Sequence, residues 1–454
     1  MISKSFYILA GSGLFSRAIS LLTNLILARL ISPSNFGKIA LVMVVFSISN
    51  FIVSGGMSDA IIRFKISDNK SLNTIFTFNL FLGAILYTLV WISAKYVSGY
   101  FGVTDLVWII RIMGLDILFK SFYVVRASRI KQKLRFDVIA KIQLINSFVI
   151  LFVSVALAAF GFELVALSVK FMIGGLTSAL LYAYYLEERY TLNFNLKPIS
   201  APIFYGLNVT MLGITNSFVR NIPVLRMSTW FSMDLIGFYS QAIILVEMGL
   251  GTLQTSIQNV LFPIIAERDE GRLSKHLAEF YQSFLFIFAP ILAIFIGSVV
   301  YLVPVFYGNE WLRMAGLAKL LALTVPLRFL SGYLLVLIKV FSSGSVYMFQ
   351  GFIKLILFSV PFYFLVLDTV QEVIILILFL ELLVLILLAI ITWKIWSDID
   401  SYFLIFLGHI IVFYSSTAFI HIHTLSSNIN WFIAILIWLT LLYSFRKKKY
   451  KQIR

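Results

Sequence analysis

The sequence predicts an all-α integral membrane protein of about fourteen transmembrane helices, two six-helix pseudo-symmetric bundles plus two C-terminal helices. Three observations predict it. Of the 454 residues 61% are hydrophobic and 12% charged, and the mean hydropathy is +0.98. Soluble domains are only about half apolar, so the solvent of this chain is lipid. Second, apolar runs of about 20 residues, the length that crosses the hydrocarbon core, recur from end to end between short polar breaks. Third, Lys and Arg concentrate in alternate breaks, the signature of spans that are threaded back and forth.

The opening stretch MISKSFYILAGSGLFSRAISLLTNLILARLIS is too long for the apolar core of a leader and shows no cleavage pattern, so 5–30 is read as the first span. SPSNFG (32–37) supplies Pro and Gly turn chemistry and leads into 37–62. SDNKSLN (67–73) is too polar for hydrocarbon and separates the third span, 74–97. The fourth, 104–125, ends at a basic joint; 137–160 and 162–186 are divided by FGFE (160–163), the tightest connection. Spans 202–230 and 235–265 follow, then the polar ERDEGRLSKH (267–276) and 279–301. PVFYGNE (304–310) is a second Pro/Gly turn, after which come 312–341, 346–366, 371–393, 402–421 and 429–445.

One alternating set of loops holds Arg63, Lys65 and Lys70; Arg126, Arg129, Lys131, Lys133 and Arg135; Arg268, Arg272 and Lys275; and the tail RKKKYKQIR (446–454). The opposite set holds mainly Arg29, Lys38, Lys95 and Arg313. By the positive-inside rule both termini are cytoplasmic, which requires an even number of spans. The net charge of +16 is explained first by this topology, and the basic tail locks the last helix or meets anionic lipid. No room is left for a fused soluble domain, so nucleic-acid binding and a built-in ATPase or glycosyltransferase are not expected. The chain has no Cys, which excludes disulfide and thiol chemistry.

An internal repeat is suggested by ISPSNFGKIALV (31–42) and FSMDLIGFYSQAII (231–244), which put Gly37 and Gly237 at matching places where a helix opens. This fits two halves in the same orientation, 1–195 and 200–395, with 396–454 carrying the two added helices and the tail.

The run ILARLISPSNFGKIAL (26–41) strongly resembles the first hairpin of Wzx-type polysaccharide flippases. These form the polysaccharide-transport branch of the superfamily that also holds the MATE drug exporters and the lipid II flippases. AIIRFK (60–65), FNLFLGAIL (78–86), SRIKQKLRFDVIAKI (128–142), RNIPVLRMSTWFSMDLIGFYSQA (220–242), LFPIIAERDEG (261–271) and VFYGNEWLRMAGLAKLLAL (305–323) follow in the family's order. The resemblance covers about 1–340. Pro223 stands where the family commonly has an Asp, and SSGS (342–345) replaces a Gly-Arg-Pro-like turn.

The resemblance implies a flippase that moves an oligosaccharide on undecaprenyl pyrophosphate from the cytoplasmic to the outer leaflet of a bacterial cytoplasmic (inner) membrane by alternating access. The product serves O-antigen, capsule or exopolysaccharide synthesis. It implies membrane lipids as surroundings, H+ or Na+ as coupling ions, and a polysaccharide polymerase and chain-length regulator as working partners. A pyrophosphate and a glycan need a wet lumen while the polyprenyl tail stays in lipid. A charge on a spanning helix is expensive and normally faces a cavity or a partner.

Arg17, Lys170, Arg220, Arg328 and Lys354 are therefore the candidate substrate path, and Glu247 the candidate for ion coupling. Arg binds phosphate through paired hydrogen bonds. Each has a plainer alternative: Lys354 can snorkel, and Glu247 can pair with an arginine instead. Lys120 follows Asp116 by one helical turn, and the expectation is a mutually neutralising pair. Arg220 is preferred to Arg226, since polar side chains surround it and the two point to different faces. The four His form no metal pattern, and no nucleophile or phosphate-binding loop is visible, so no catalytic residue, metal or cofactor is expected.

Three other functions share parts of this pattern. A lipid II flippase uses the same carrier. A MATE-like ion-coupled exporter prefers acidic lumen residues, whereas cations outnumber acids here. A polysaccharide polymerase usually carries a large outer loop, and the longest expected here is about a dozen residues.

Overall fold

The computed structural model describes residues 2–193, 195, 199–251, 290–341 and 344–395. Among them there are helices and turns and no strand. Among the described residues eight helical stretches are long and apolar enough to cross a membrane, so the protein is a multi-pass membrane protein. In lipid each backbone polar group must be satisfied within its own segment, which a helix does. Spans expected at 402–421 and 429–445, the loop 267–276 and the basic tail lie outside the described residues.

The elements are α1 (Ile2–Leu30), α2 (Pro33–Arg63), α3 (Asn69–Phe101), α4 (Leu106–Gln132), α5 (Phe136–Ala159), α6 (Glu163–Tyr185), α7 (Ser200–Met227) and α8 (Met233–Val246). A π turn, Glu247–Gly251, extends α8. Then come α9 (Pro290–Phe306), a short 3-10 turn Asn309–Trp311, α10 (Leu312–Ala322), α11 (Thr324–Phe341), α12 (Gly344–Phe364) and α13 (Val370–Ile395).

Local chemistry explains the boundaries. Ser32 is extended at the α2 N-cap and Pro33 opens the helix, where its missing N–H is harmless. The Asp68 carboxylate caps α3 by accepting from the Ser71 N–H at 2.8 Å, and that bond holds its pKa below the ordinary value. Gly102 closes α3 at φ 66° and Gly161 makes the α5–α6 join at φ 86°, backbone shapes that a side chain resists. The span expected over 312–341 is present as one membrane-length stretch, Asn309–Ile338, whose helix is interrupted at Leu323. Pro326 has no N–H to give the Ala322 carbonyl, and the Thr324 hydroxyl turns back to Leu321 O at 2.7 Å.

By contact the chain forms two compact units. The first comprises residues 1–241, 306–311 and 351–370. In it α4 is the inner helix, packed on α2, α3 and α6, while α1 lies on α5, α5 on α6, and α2 along α7. One core cluster joins α2, α3 and α4 through Ile61, Leu72, Ile75 and Val125; another joins α4, α5 and α6 through Ile130, Ile142 and Tyr182. Large apolar side chains such as Phe81, Phe152, Leu180 and Phe204 face outward, as lipid contact requires. The second unit comprises 242–305, 312–350 and 371–454. Within it the described part of α11 is largely buried and α13 carries a long apolar surface.

Candidate charged sites within the membrane spans

The second unit brings two of the expected residues together. Glu247 begins the π turn after α8, and Arg328 stands one residue past Leu327 on α11, where Pro326 has loosened the first turn. Arg328 Nη1 lies 3.3 Å from Glu247 Oε1, and Nη2 donates to Thr324 Oγ1 at 3.1 Å. Both side chains keep about a third of their surface, 31% and 35%. A π turn continuing an α-helix often marks a functional position. Here it presents a carboxylate to a guanidinium, the pairing alternative for Glu247, while leaving both groups within reach of a ligand.

The other four lie in the first unit. Arg17 is exposed on α1 and makes no hydrogen bond or ion pair among the described residues. It shares a helix face with Asn24, two turns on, whose amide donates to Gln241 Oε1 of α8 at 2.7 Å. Arg220 is exposed on α7 beside exposed Asn216. Its neighbours Ser217 and Asn221 turn instead to α2: the Ser47 and Ser217 hydroxyls are 2.8 Å apart, and Asn221 Nδ2 donates to Ser47 Oγ at 3.0 Å. Arg226 is engaged, with Nη2 on the Tyr363 carbonyl at 3.4 Å and its guanidinium 4.1 Å from the Trp230 ring centre. Lys170 is half-buried on α6 and its ammonium sits 5.1 Å from the Phe171 ring. Lys354 is half-buried on α12, 5.4 Å from the Phe358 ring. Lys170 and Arg220 each stand seven residues from a helix end, Glu163 and Met227, or roughly 10 Å in from the same side.

The expected partnership of Lys120 with Asp116 is one of attraction between neighbouring charges and not of direct contact. The Lys120 ammonium donates to Asn50 Oδ1 of α2 at 2.7 Å, and no Asp116–Lys120 ion pair forms. The sequence gives no hint of Asn50, because only the fold sets α2 beside α4.

Two contact systems went unnoticed in the sequence. At one end of the first unit, Trp311 packs edge-on against Phe36 and Phe238 at 5.3 and 5.7 Å and donates Nε1–H to Ala28 O at 2.8 Å. Arg29 Nε donates to Phe306 O at 2.9 Å. The Glu163 carboxylate accepts from Asn35 Nδ2 at 2.6 Å and from Ser32 N at 3.2 Å, which pins the turn between α1 and α2. At the other end, the segment after α6 is strapped to α3 and α4. Glu188 accepts from Lys133 Nζ at 2.6 Å, Tyr190 Oη at 2.8 Å and Arg129 Nη2 at 3.1 Å. Arg126 lies among the rings of Phe122, Phe76 and Tyr190 at 4.2, 5.0 and 5.1 Å, and Asn73 bonds Thr191 twice. Burial pushes the Glu188 carboxyl up, but the three hydrogen bonds and the charge of Arg129 outweigh it and hold it at about 2. Burial and that bond to Glu188 push Tyr190 well up.

The chain matches the family described as "Polysaccharide biosynthesis protein" over residues 26–316. It is 19% identical over 287 residues to the teichuronic acid biosynthesis protein TuaB of Bacillus subtilis (strain 168), covering 62% of this chain and 59% of TuaB. It is 22% identical over 321 residues to the succinoglycan biosynthesis transport protein ExoT of Rhizobium meliloti (strain 1021), covering 70% and 64%. The matched stretch thus spans about three fifths of these relatives' length. Among solved structures, the lipid II flippase MurJ in an inward closed conformation superposes with a TM-score of 0.72 at 15% identity, covering 98% of this chain and 99% of that one. A family match that takes in well over half of the chain makes this protein a member of the polysaccharide biosynthesis protein family, built on the fold of the lipid II flippase MurJ.

Proposed function

We propose that the protein flips an oligosaccharide linked to undecaprenyl pyrophosphate from the cytoplasmic to the outer leaflet of a bacterial cytoplasmic membrane. The single observation that supports it best is the set of cations Arg17, Lys170 and Arg220, the first two on apolar spans and the third on α7, with no carboxylate paired to them among the described residues. Unpaired charge at membrane depth is retained where it meets a wet path or a ligand of opposite charge, and a pyrophosphate is such a ligand. Arg328 adds a fourth cation, neutralised at rest by Glu247, and Lys354 a fifth. The halves 1–195 and 200–395 rock about a midplane site, with H+ or Na+ as the driving ion. Both termini face the cytoplasm, and a polymerase and chain-length regulator take over the product outside. A transport protein among the relatives, ExoT, and a flippase among the structures support this reading.

The test is reconstitution of the full chain in vesicles with a fluorescent carrier-linked oligosaccharide in one leaflet. Transfer above that of protein-free vesicles, driven by a proton or sodium gradient, is expected. Equal rates with and without protein under both gradients would remove the proposal. Transfer of lipid II alone would redirect it to cell-wall synthesis.

A further inference from the structure

Asp116 is a charge-bearing group that the proposed path does not use. It lies half-buried near the middle of α4, the helix enclosed by α2, α3 and α6. Its Oδ1 occupies the space that a Cβ would take at Gly175 of α6. Among the described residues no donor lies within hydrogen-bond distance of this carboxylate, and Lys120, one turn further on, donates to Asn50 instead. An ionised carboxylate without hydrogen bonds at membrane depth is strongly disfavoured; a neutral acid is not. Sodium needs a shell of several oxygens, which one side chain does not supply, so the fitting ligand is a proton.

Charge on Asp116 has a mechanical consequence. Residues four apart on a helix are neighbours, so an ionised Asp116 attracts Lys120 away from Asn50. Asn50 belongs to α2, whose Ser47 and Gly56 form the seam with α7 at Ser217 and Gly206. Other titratable groups on the packed elements are Tyr123 and Lys131 of α4, Tyr87 of α3, and Tyr182 and Lys170 of α6. At this level α2 offers the neutral Asn50.

We infer that Asp116 is a proton-binding site whose occupancy switches Lys120 between Asn50 and Asp116, and so sets how firmly α4 holds α2 against α7.

The experiment uses the full chain in lipid nanodiscs, without substrate, so its outcome is separate from that of the transport assay. The chain has no native Cys, so spin labels at Ile62→Cys and Phe204→Cys report the α2–α7 separation directly. Wild type is expected to show an infrared carboxylic-acid band that titrates with pH, and a label distance that shifts over the same pH range. Asp116→Asn is expected to lose the band and fix the distance. Asn50→Leu, which leaves Asp116 intact, is expected to keep the band and lose the distance shift. A band that persists in Asp116→Asn, or a shift that persists in Asn50→Leu, overturns the proposal.

Discussion

Glu188 shows how a single carboxylate organises a surface that the sequence displays only as a basic joint. Three donors converge on it, Arg129 of α4, Lys133 just past the end of α4, and Tyr190 of its own segment, and its pKa falls from 4.5 to about 2. A carboxyl with a depressed folded pKa adds stability that is complete above about 4.5 and is lost as the pH falls through about 2. Glu188→Gln is expected to lower stability by about 1 kcal/mol near neutral pH, a modest figure because water reaches the carboxylate. The gap from wild type closes as the pH is lowered below 4.5. Thermal melting in detergent across that range checks both the size and the direction; a gap that widens on acidification contradicts the assignment.

Glu247 and Arg328 are the second residue-scale case. Two partly exposed ions at 3.3 Å neutralise each other at rest, yet both remain open to a competitor. Arg328→Gln and Glu247→Gln are each expected to slow transport, and the double variant to be no worse than Arg328→Gln alone. Contacting residues commonly couple by about 0.5–3 kcal/mol. Strict additivity of the two effects in a double-mutant cycle would show that the pair is not a functional unit.

At the scale of elements, glycine decides which helices approach. A Cβ built on Gly37 runs into the Met233 carbonyl of α8, and one on Gly237 runs into the Pro33 carbonyl of α2. The two glycines that mark the internal repeat therefore face each other: the repeat is also a contact. Gly56 and Gly206 serve the α2–α7 crossing in the same way. Because backbone atoms, not flexible side-chain ends, fill the space, a larger residue must push the helices apart. Gly37→Leu or Gly206→Leu is expected to destabilise by about 1–3 kcal/mol, the usual range for overpacking. Loss of monodisperse protein on heating, read by size exclusion, is the check.

Much of this scale was legible beforehand and some was not. Hydropathy placed most of the spans that fall among the described residues, and SPSNFG placed the α1–α2 turn, because these depend on the chain's own neighbours. The break at Leu323 was also written in the sequence, in Pro326, but a long apolar run masks it. Partners such as Asn50 for Lys120, Gln241 for Asn24 and Tyr363 for Arg226 were not legible. They depend on which helices the fold makes adjacent. Polar neighbours and helix face separated Arg220 from Arg226 beforehand, but not the contacts with Tyr363 and Trp230 that engage Arg226.

At the scale of the whole molecule, the charge pattern carries a topology that labelling can test. The strap around Glu188 and the joint at Lys131–Arg135 are rich in cations, and crossing the membrane with them during insertion is strongly disfavoured. The opposite ends of α3 and α4 instead carry exposed Tyr96, Tyr100 and Trp108, aromatics suited to the headgroup region. There the Arg111 guanidinium lies 4.2 Å from the Trp91 ring centre. The two ends of one helical hairpin therefore differ in kind, and the orientation follows from where positive charge stays. With no native Cys to interfere, Lys131→Cys and Tyr100→Cys variants can each be exposed to a membrane-impermeant maleimide on intact spheroplasts. Tyr100→Cys is expected to label and Lys131→Cys to label only after the membrane is opened. The reverse pattern would invert every span, put the strap outside, and leave a cytoplasmic substrate facing the aromatic end instead of the basic one.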